Sequence, residues 1–231
     1  MSKKPGIYFS SDWHFSHGDA YRGILAFERG KEFKTIEEHD DFIYKTLCSW
    51  VKRWEPESEF WFLGDFGNPE WLFVFAKFIG KGISVHFVRG NHDSGISDKM
   101  LLEHNVEVHP YPVFLSHKMV VSHAPVGMWD DSLNIHGHLH SSVLNKVNYI
   151  NANIHVCNYQ PISMKTIAKH FSQMPAYNRI FMNEPYADMY KFIQEKSDCI
   201  YDMNGNIDLS ASRLYQKLMR EGKISVDNSL K

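Results

Sequence analysis

Glu59-Phe60-Trp61-Phe62-Leu63-Gly64-Asp65 is an apolar run that stops at a glycine and a carboxylate, and two other apolar runs likewise stop at small and polar residues. Upstream, Ile7-Tyr8-Phe9-Ser10 leads into Ser11-Asp12-Trp13-His14. Downstream, Val85-His86-Phe87-Val88 leads into Arg89-Gly90-Asn91-His92-Asp93. Runs of this length bounded by Gly, Asn and Asp read as buried strands. Between the first two, Thr35-Ile36-Glu37-Glu38 has the form of a capping box. Ile36, Ile43, Leu47, Trp50, Val51 and Trp54 then recur on one helical face, which predicts a helix to about residue 54. Between the second and third, Asn68-Pro69 opens a helix through residue 78 that Gly80-Lys81-Gly82 ends. The order strand, helix, strand implies parallel pairing and an α/β fold, because parallel neighbours need a long crossover. After the run at 106–108 the texture changes to shorter runs at 113–115, 119–122, 134–136 and 147–156, which predict a second sheet. From about residue 165 it becomes helical, with segments at 165–174, 186–196 and 209–221.

With 231 residues, 43% of them hydrophobic and 14% aromatic, the chain can bury a full core, which excludes disordered, collagen-like and coiled-coil classes. Its 25 basic and 27 acidic residues give a net charge of −2, and like charges form no long block. Long nucleic acid is therefore not expected as an electrostatic partner. The three cysteines lie far apart, with neither zinc nor disulfide spacing, and point to a reducing, cytoplasmic setting. The most apolar stretch, residues 71–79, is interrupted by Lys77 and is too short for a membrane span. The unusual count is 14 histidines, several of them beside Gly, Asp or Asn.

If strand geometry continues past these runs, Asp12 and His14 point to one side and Trp13 to the other, so that the pair could share a metal. His138 and His140 repeat this spacing around Leu139. Gly64-Asp65 and Gly90-Asn91-His92-Asp93 place further polar groups at the C-terminal ends of neighbouring strands, where open α/β sheets bind ligands. Ser122-His123 follows another apolar run. A single Asp-x-His or Gly-Asp says little. The information lies in the ordered set, each member behind its own apolar run.

That set, with Ser11-Asp12-Trp13-His14-Phe15-Ser16-His17, Arg89-Gly90-Asn91-His92-Asp93, Trp129, Asn151-Ala152-Asn153-Ile154-His155 and Tyr159-Gln160-Pro161-Ile162-Ser163, resembles the calcineurin-like metallophosphoesterase superfamily. The likeness is to its small bacterial and phage-type members and spans about residues 6–167. It implies a two-sheet β-sandwich flanked by helices over residues 1–168, and leaves 169–231 as a helical C-terminal extension of unassigned role. It also implies two divalent ions. Asp12, His14, Asp65 and His140 would hold one, and Asp65, Asn91, His123 and His138 the other, with Asp65 bridging. Carboxylate, amide oxygen and imidazole without thiolate suit manganese first, then iron, zinc or nickel. The implied reaction is in-line attack by a hydroxide shared between the ions. His92 would protonate the departing alkoxide and Asp93 would orient it.

His17 and Arg89 carry two readings each. His17 either touches the substrate phosphate or caps a helix near Asp19. Arg89 either pairs with phosphate or anchors its loop. Trp129 lines the mouth and stacks on a flat group. His136 is out of step with the metal pair and reads as structural. The implied function is hydrolysis of a small, nucleotide-like phosphodiester or phosphomonoester, with a small nuclease acting on short ends or a non-catalytic scaffold as alternatives. Among branches of the superfamily, His92 departs from the Gly-Asn-Arg-Asp of lipid A precursor hydrolases, and Asp93 from the Gly-Asn-His-Glu usual in protein phosphatases.

Overall fold

The computed structural model describes residues 4–18, 23–116, 118–128, 132–142, 144 and 148–171. Trp129, Cys199 and the helices expected at 186–196 and 209–221 lie outside the described residues, as does nearly all of the expected extension 169–231.

The three runs that end in Asp or Asn form β1 (Ile7–Ser10), β2 (Glu59–Phe62) and β3 (Ser84–Val88), paired in parallel as expected. Between them, α1 (Ile36–Arg53) begins where Thr35 accepts the Glu38 backbone N–H at 3.2 Å, a cap worth about 1 kcal/mol. Glu38 reaches back to the Lys34 N–H, one residue before the cap, so the return bond of the capping box is made one position early. The Asn68-Pro69 signal starts a 3₁₀ segment, Pro69–Val74, which becomes α2 (Phe75–Ile79) and ends at Gly80. After β3, Ser97 caps a short helix, α3 (Asp98–Glu103), not expected from the sequence. β4 (Glu107–His109) then adds in parallel at the edge.

The second half is β5 (Val113–Ser116), β6 (Met119–Val121), β7 (Leu133–His136) and β8 (Tyr149–Asn151), followed by β9 (Ile162–Ser163) and α4 (Met164–Phe171). β8 is much shorter than the run at 147–156 suggested, because the chain turns at residues 154–159. The strands form two mixed sheets, β4-β3-β2-β1-β9 and β5-β6-β7-β8. The pairs β1–β9 and β5–β6 are antiparallel and the others parallel.

Side-chain alternation in the first sheet makes the layers. Phe60, Phe62, Val85 and Phe87 pack against Ile43, Leu47 and Val51 of α1 and Phe75 and Phe78 of α2, while Phe9, Trp61, Leu63 and Val88 pack against Val113, Val121, Leu133 and Ile135 of the second sheet. This is the expected two-sheet sandwich with flanking helices. Trp13 enters the helix-side layer fully buried, 4.6 Å from the Phe62 ring, and its indole N–H donates to Ser10 Oγ at 2.9 Å. The aromatic run after Asn68 is core at Phe75 and Phe78, but Phe73 is exposed. Among the described residues, Cys48 and Cys157 are free thiols and no helix is long and apolar enough to cross a membrane.

Candidate metal centre

The C-terminal ends of β1, β2 and β3 meet the loops after β6 and β7, and seven side chains converge there. Asp12, His14 and His140 form one group whose ligand atoms lie within 4.8 Å of one another, and Asp65, His123 and His138 form another. Asn91 Oδ1 completes the second, 2.8 Å from His123 Nε2 and 2.9 Å from His138 Nδ1. Asp65 Oδ2 stands between the groups, 3.3 Å from His123 Nε2 and 3.7 Å from His14 Nε2.

The route by which these side chains arrive differs from simple strand alternation. Asp12, His14, Asp65, His138 and His140 all have positive φ, between 50° and 69°, in the left-handed region that non-glycine residues seldom occupy. The chain therefore coils at each ligand instead of continuing extended. Trp13 does point away into the core, but Leu139 lines the same cavity as its neighbours His138 and His140, against expectation.

The donor chemistry fits a divalent cation. Asp12, His14 and Asp65 are essentially fully buried, and both His14 Nε2 and Asp65 Oδ2 lack a hydrogen-bond partner. Buried polar atoms left in this way are costly unless something else satisfies them. Burial, with Asp65 nearby, raises the Asp12 carboxyl. Burial would raise Asp65 as well, but His123 and His14 hold it well below the usual carboxylate range. For His123, burial is outweighed by Asp65, which pushes the imidazole up to about 10. Asp65 thus favours positive charge beside it, whereas burial keeps the His14 and His138 imidazoles below their ordinary value, His138 at about 4. His123 Nδ1 donates to the Leu63 carbonyl at 2.8 Å, which fixes the tautomer and directs Nε2 to the centre.

Close backbone approach is part of the design. A Cβ on Gly137 would lie 2.4 Å from Ser11 Oγ and 2.5 Å from Asp12 Oδ2. The Asp12 carboxylate also accepts the His138 backbone N–H at 3.1 Å, tying the two sheets together at this point. Gly137→Ala is expected to push Asp12 off the centre, destabilising the fold by about 1–3 kcal/mol and weakening metal uptake. Calorimetry of unfolding and a metal titration check both.

Two flanking residues had no signal in the sequence. Arg29, fully buried in a π-helical turn (Leu25–Arg29), donates to the Asp12 carbonyl at 2.7 Å and the Trp13 carbonyl at 3.2 Å. It also meets His39 Nε2 at 2.8 Å; since Arg only donates, His39 carries its proton on Nδ1 and passes it toward Asp40 Oδ1, 2.9 Å away. Asp40 in turn accepts the Ser16 N–H at 2.8 Å. This chain clamps the whole Asp12–Ser16 loop. Glu28 sits beside it, 3.2 Å from both His140 Nδ1 and His155 Nδ1. Burial alone would raise the Glu28 carboxyl, yet hydrogen bonds to His140 and His155 hold it down at about 2.

Glu28 therefore orients His140 as carboxylates orient metal-binding imidazoles elsewhere. Glu28→Gln is expected to lower metal affinity 10–100-fold. The sign of its pH effect follows from the depressed value: the stability it adds is complete above the unfolded carboxylate range and is lost as pH falls toward about 2. Acid unfolding curves of the variant should lack that loss.

The remaining sequence candidates divide. His17 Nδ1 lies 3.1 Å from His14 Nδ1, and His17 lines a cavity of about 690 Å³ with His14, Ile24, Glu28, His92, His138, Leu139, His140, Ser141 and Ser142. His92 is exposed at this cavity, its ring centroid 5.7 Å from that of His14, and its backbone N–H donates to Asp65 Oδ1 at 2.9 Å. Asp93 takes a different task from orienting His92. It is buried, and its two oxygens accept the backbone N–H groups of Asp65, Phe66 and Gly90 at 2.7–2.9 Å, locking the β2 and β3 loops together. Arg89 likewise anchors its loop, with its guanidinium on the Asp93 and Ile96 carbonyls and Asp98. His136 is buried with Nδ1 on the Gly137 carbonyl.

The calcineurin-like phosphoesterase superfamily domain matches residues 38–158, just over half of the chain. The chain belongs to this family, and it carries side-chain groups able to hold divalent metal within it. A relative from Methanocaldococcus jannaschii, the uncharacterized protein MJ1445, is 25% identical over 175 residues, which cover 71% of this chain and 89% of the relative. Among solved structures, the protein of unknown function AQ665 from Aquifex aeolicus is similar, at 25% identity and a TM-score of 0.53. The match covers 72% of this chain and 99% of that one.

Proposed function

We propose that this protein is a binuclear metal-dependent phosphoesterase that hydrolyses a small, nucleotide-like phosphodiester or phosphomonoester by direct displacement at phosphorus. The observation that carries this reading is the place of Asp65 Oδ2, within 3.7 Å of ligand nitrogens from both groups. Asp12, His14 and His140 would hold one ion and Asn91, His123 and His138 the other, with Asp65 common to both. When bound, such ions polarise phosphoryl oxygens and make water acidic enough to attack at neutral pH. Manganese leads the choice, because the donors are oxygen and imidazole.

The rest is done by the chain. His92 stands at the cavity beside the ligand groups without belonging to either, where it delivers a proton to the leaving oxygen. His17 orients His14 and contacts the substrate from the same wall. Arg29 and Asp93 keep the ligand-bearing loops fixed, so little reorganisation is needed during reaction. A cavity of about 690 Å³ suits a small ligand. Free Cys48 and Cys157 fit a cytoplasmic setting.

The test is turnover of bis-p-nitrophenyl phosphate, p-nitrophenyl phosphate and a short oligonucleotide by metal-stripped protein, with Mn, Ni, Zn or Mg added back. Activity that requires a transition metal supports the proposal, and the substrate ratio chooses among diester, monoester and nucleic-acid ends. Protein that takes up no metal and turns over none of them overturns it in favour of a scaffold.

A further inference from the structure

A second cluster of metal-binding side chains lies away from the Asp65 centre, on the face of the first sheet that carries Trp61. His86 on β3 is in register with Glu107 on β4, and His109 follows two residues later on the same face. The ligand atoms of the three lie within 4.8 Å of one another. His86 Nδ1 is 3.2 Å from His109 Nε2 and 3.2 Å from Glu107 Oε2, and Glu107 Oε1 is 3.7 Å from His109 Nε2. Two bonds of ~2.0–2.1 Å at a tetrahedral angle set ligand atoms ~3.3–3.4 Å apart, so one cation can touch all three with only small shifts.

We infer that His86, Glu107 and His109 form a separate binding site for a zinc-like divalent transition metal that pins the edge strand β4 to β3. Three further observations support it. The opposite nitrogen of His86 faces a carboxylate, with Nε2 4.0 Å from Glu59 Oε2, and Glu59 is itself held by the Trp61 indole N–H at 3.1 Å. At 4.0 Å this carboxylate lies beyond hydrogen-bond reach, but its charge favours the proton on Nε2 and so leaves Nδ1 to a cation. The Trp61 ring stacks on His86 with centroids 4.0 Å apart and an interplanar angle of 8°, which fixes the ring plane. Burial keeps both imidazoles below their ordinary value, with His109 at about 3, so each offers a lone pair at neutral pH. Two histidines and one glutamate leave a fourth position for water, and their softness favours zinc, nickel or cobalt over magnesium or calcium.

The test compares the full chain with its His86→Gln and Glu107→Gln variants, each stripped by chelator, equilibrated at micromolar free zinc and counted for zinc by mass spectrometry. Each variant should retain one zinc fewer than the parent, or need at least ~10-fold more free zinc to recover it. Glu107 is more than half exposed, so its substitution leaves the fold intact even if His86→Gln does not. The comparison is a difference, so it is independent of how many ions the Asp65 centre takes; repeating it in an Asp65→Asn background separates failure of the two readings. Equal zinc in all three proteins overturns the inference and leaves the His86–His109 contact as a hydrogen bond between neutral rings.

Discussion

Asp65→Asn is expected to lower turnover of a metal-activated phosphodiester by about a thousand-fold or more, roughly 4 kcal/mol of barrier, and to reduce the metal held by both ligand groups. The substitution is nearly isosteric, so the effect is electrostatic. It removes the charge whose Oδ2 lies 3.3 Å from His123 Nε2 and 3.7 Å from His14 Nε2, and places an amide where the His92 backbone N–H now finds a carboxylate oxygen. Removal of one charge from a buried cluster leaves its partners uncompensated, so uptake of two ions should become weak uptake of at most one. Metal analysis beside the rate measurement decides. Full metal content with full activity in the variant would refute the bridging role.

His92→Ala is expected to cost 10²–10⁴-fold in turnover, the usual range for loss of a positioned proton donor, while metal content stays at the parent level. The separation follows from geometry: the His92 ring lines the cavity and meets the His14 ring only edge-on, while the hydrogen bond from His92 to a ligand, Asp65, is made by the backbone N–H, which alanine retains. A substrate with a good leaving group, such as p-nitrophenolate, needs less protonation and should lose less rate than an alkyl ester. A variant that loses metal and activity together would assign His92 to the ligand set instead.

Strands β1, β2 and β3 and the positions of the ligand side chains were legible because each of these apolar runs is followed within two residues by Gly or Asp, a local and strong signal; β9, two residues long, carried none. The reason they converge was not. Alternation along an extended chain anticipates Trp13 facing the core, but the backbone that actually turns it there is left-handed on both sides, at Asp12 and His14, as it is at Asp65, His138 and His140, and this has no sequence mark beyond the tolerance of Asp and His for that region. Arg89 and Asp93 are the residue types that phosphate binding and proton relay would use, yet their hydrogen bonds close the Gly90–Ile96 loop. Glu28 and Arg29 were invisible for another reason. They act across 112 residues to His140 and 17 to Asp12, and a single sequence holds no record of such distances.

The interlock of the two sheets at Asp12 and His138, 126 residues apart in the chain, bears on how the protein reaches its native state. Closing so long a loop is entropically slow and unrewarded until its last contacts form. The ligands at the ends of β1, β2 and β3 can gather while the first sheet assembles, but His123, His138 and His140 arrive only with the other half. During refolding, high-affinity metal capture should therefore lag behind recovery of helix and strand signals, and the cation becomes a clock for the docking of one half of the domain on the other.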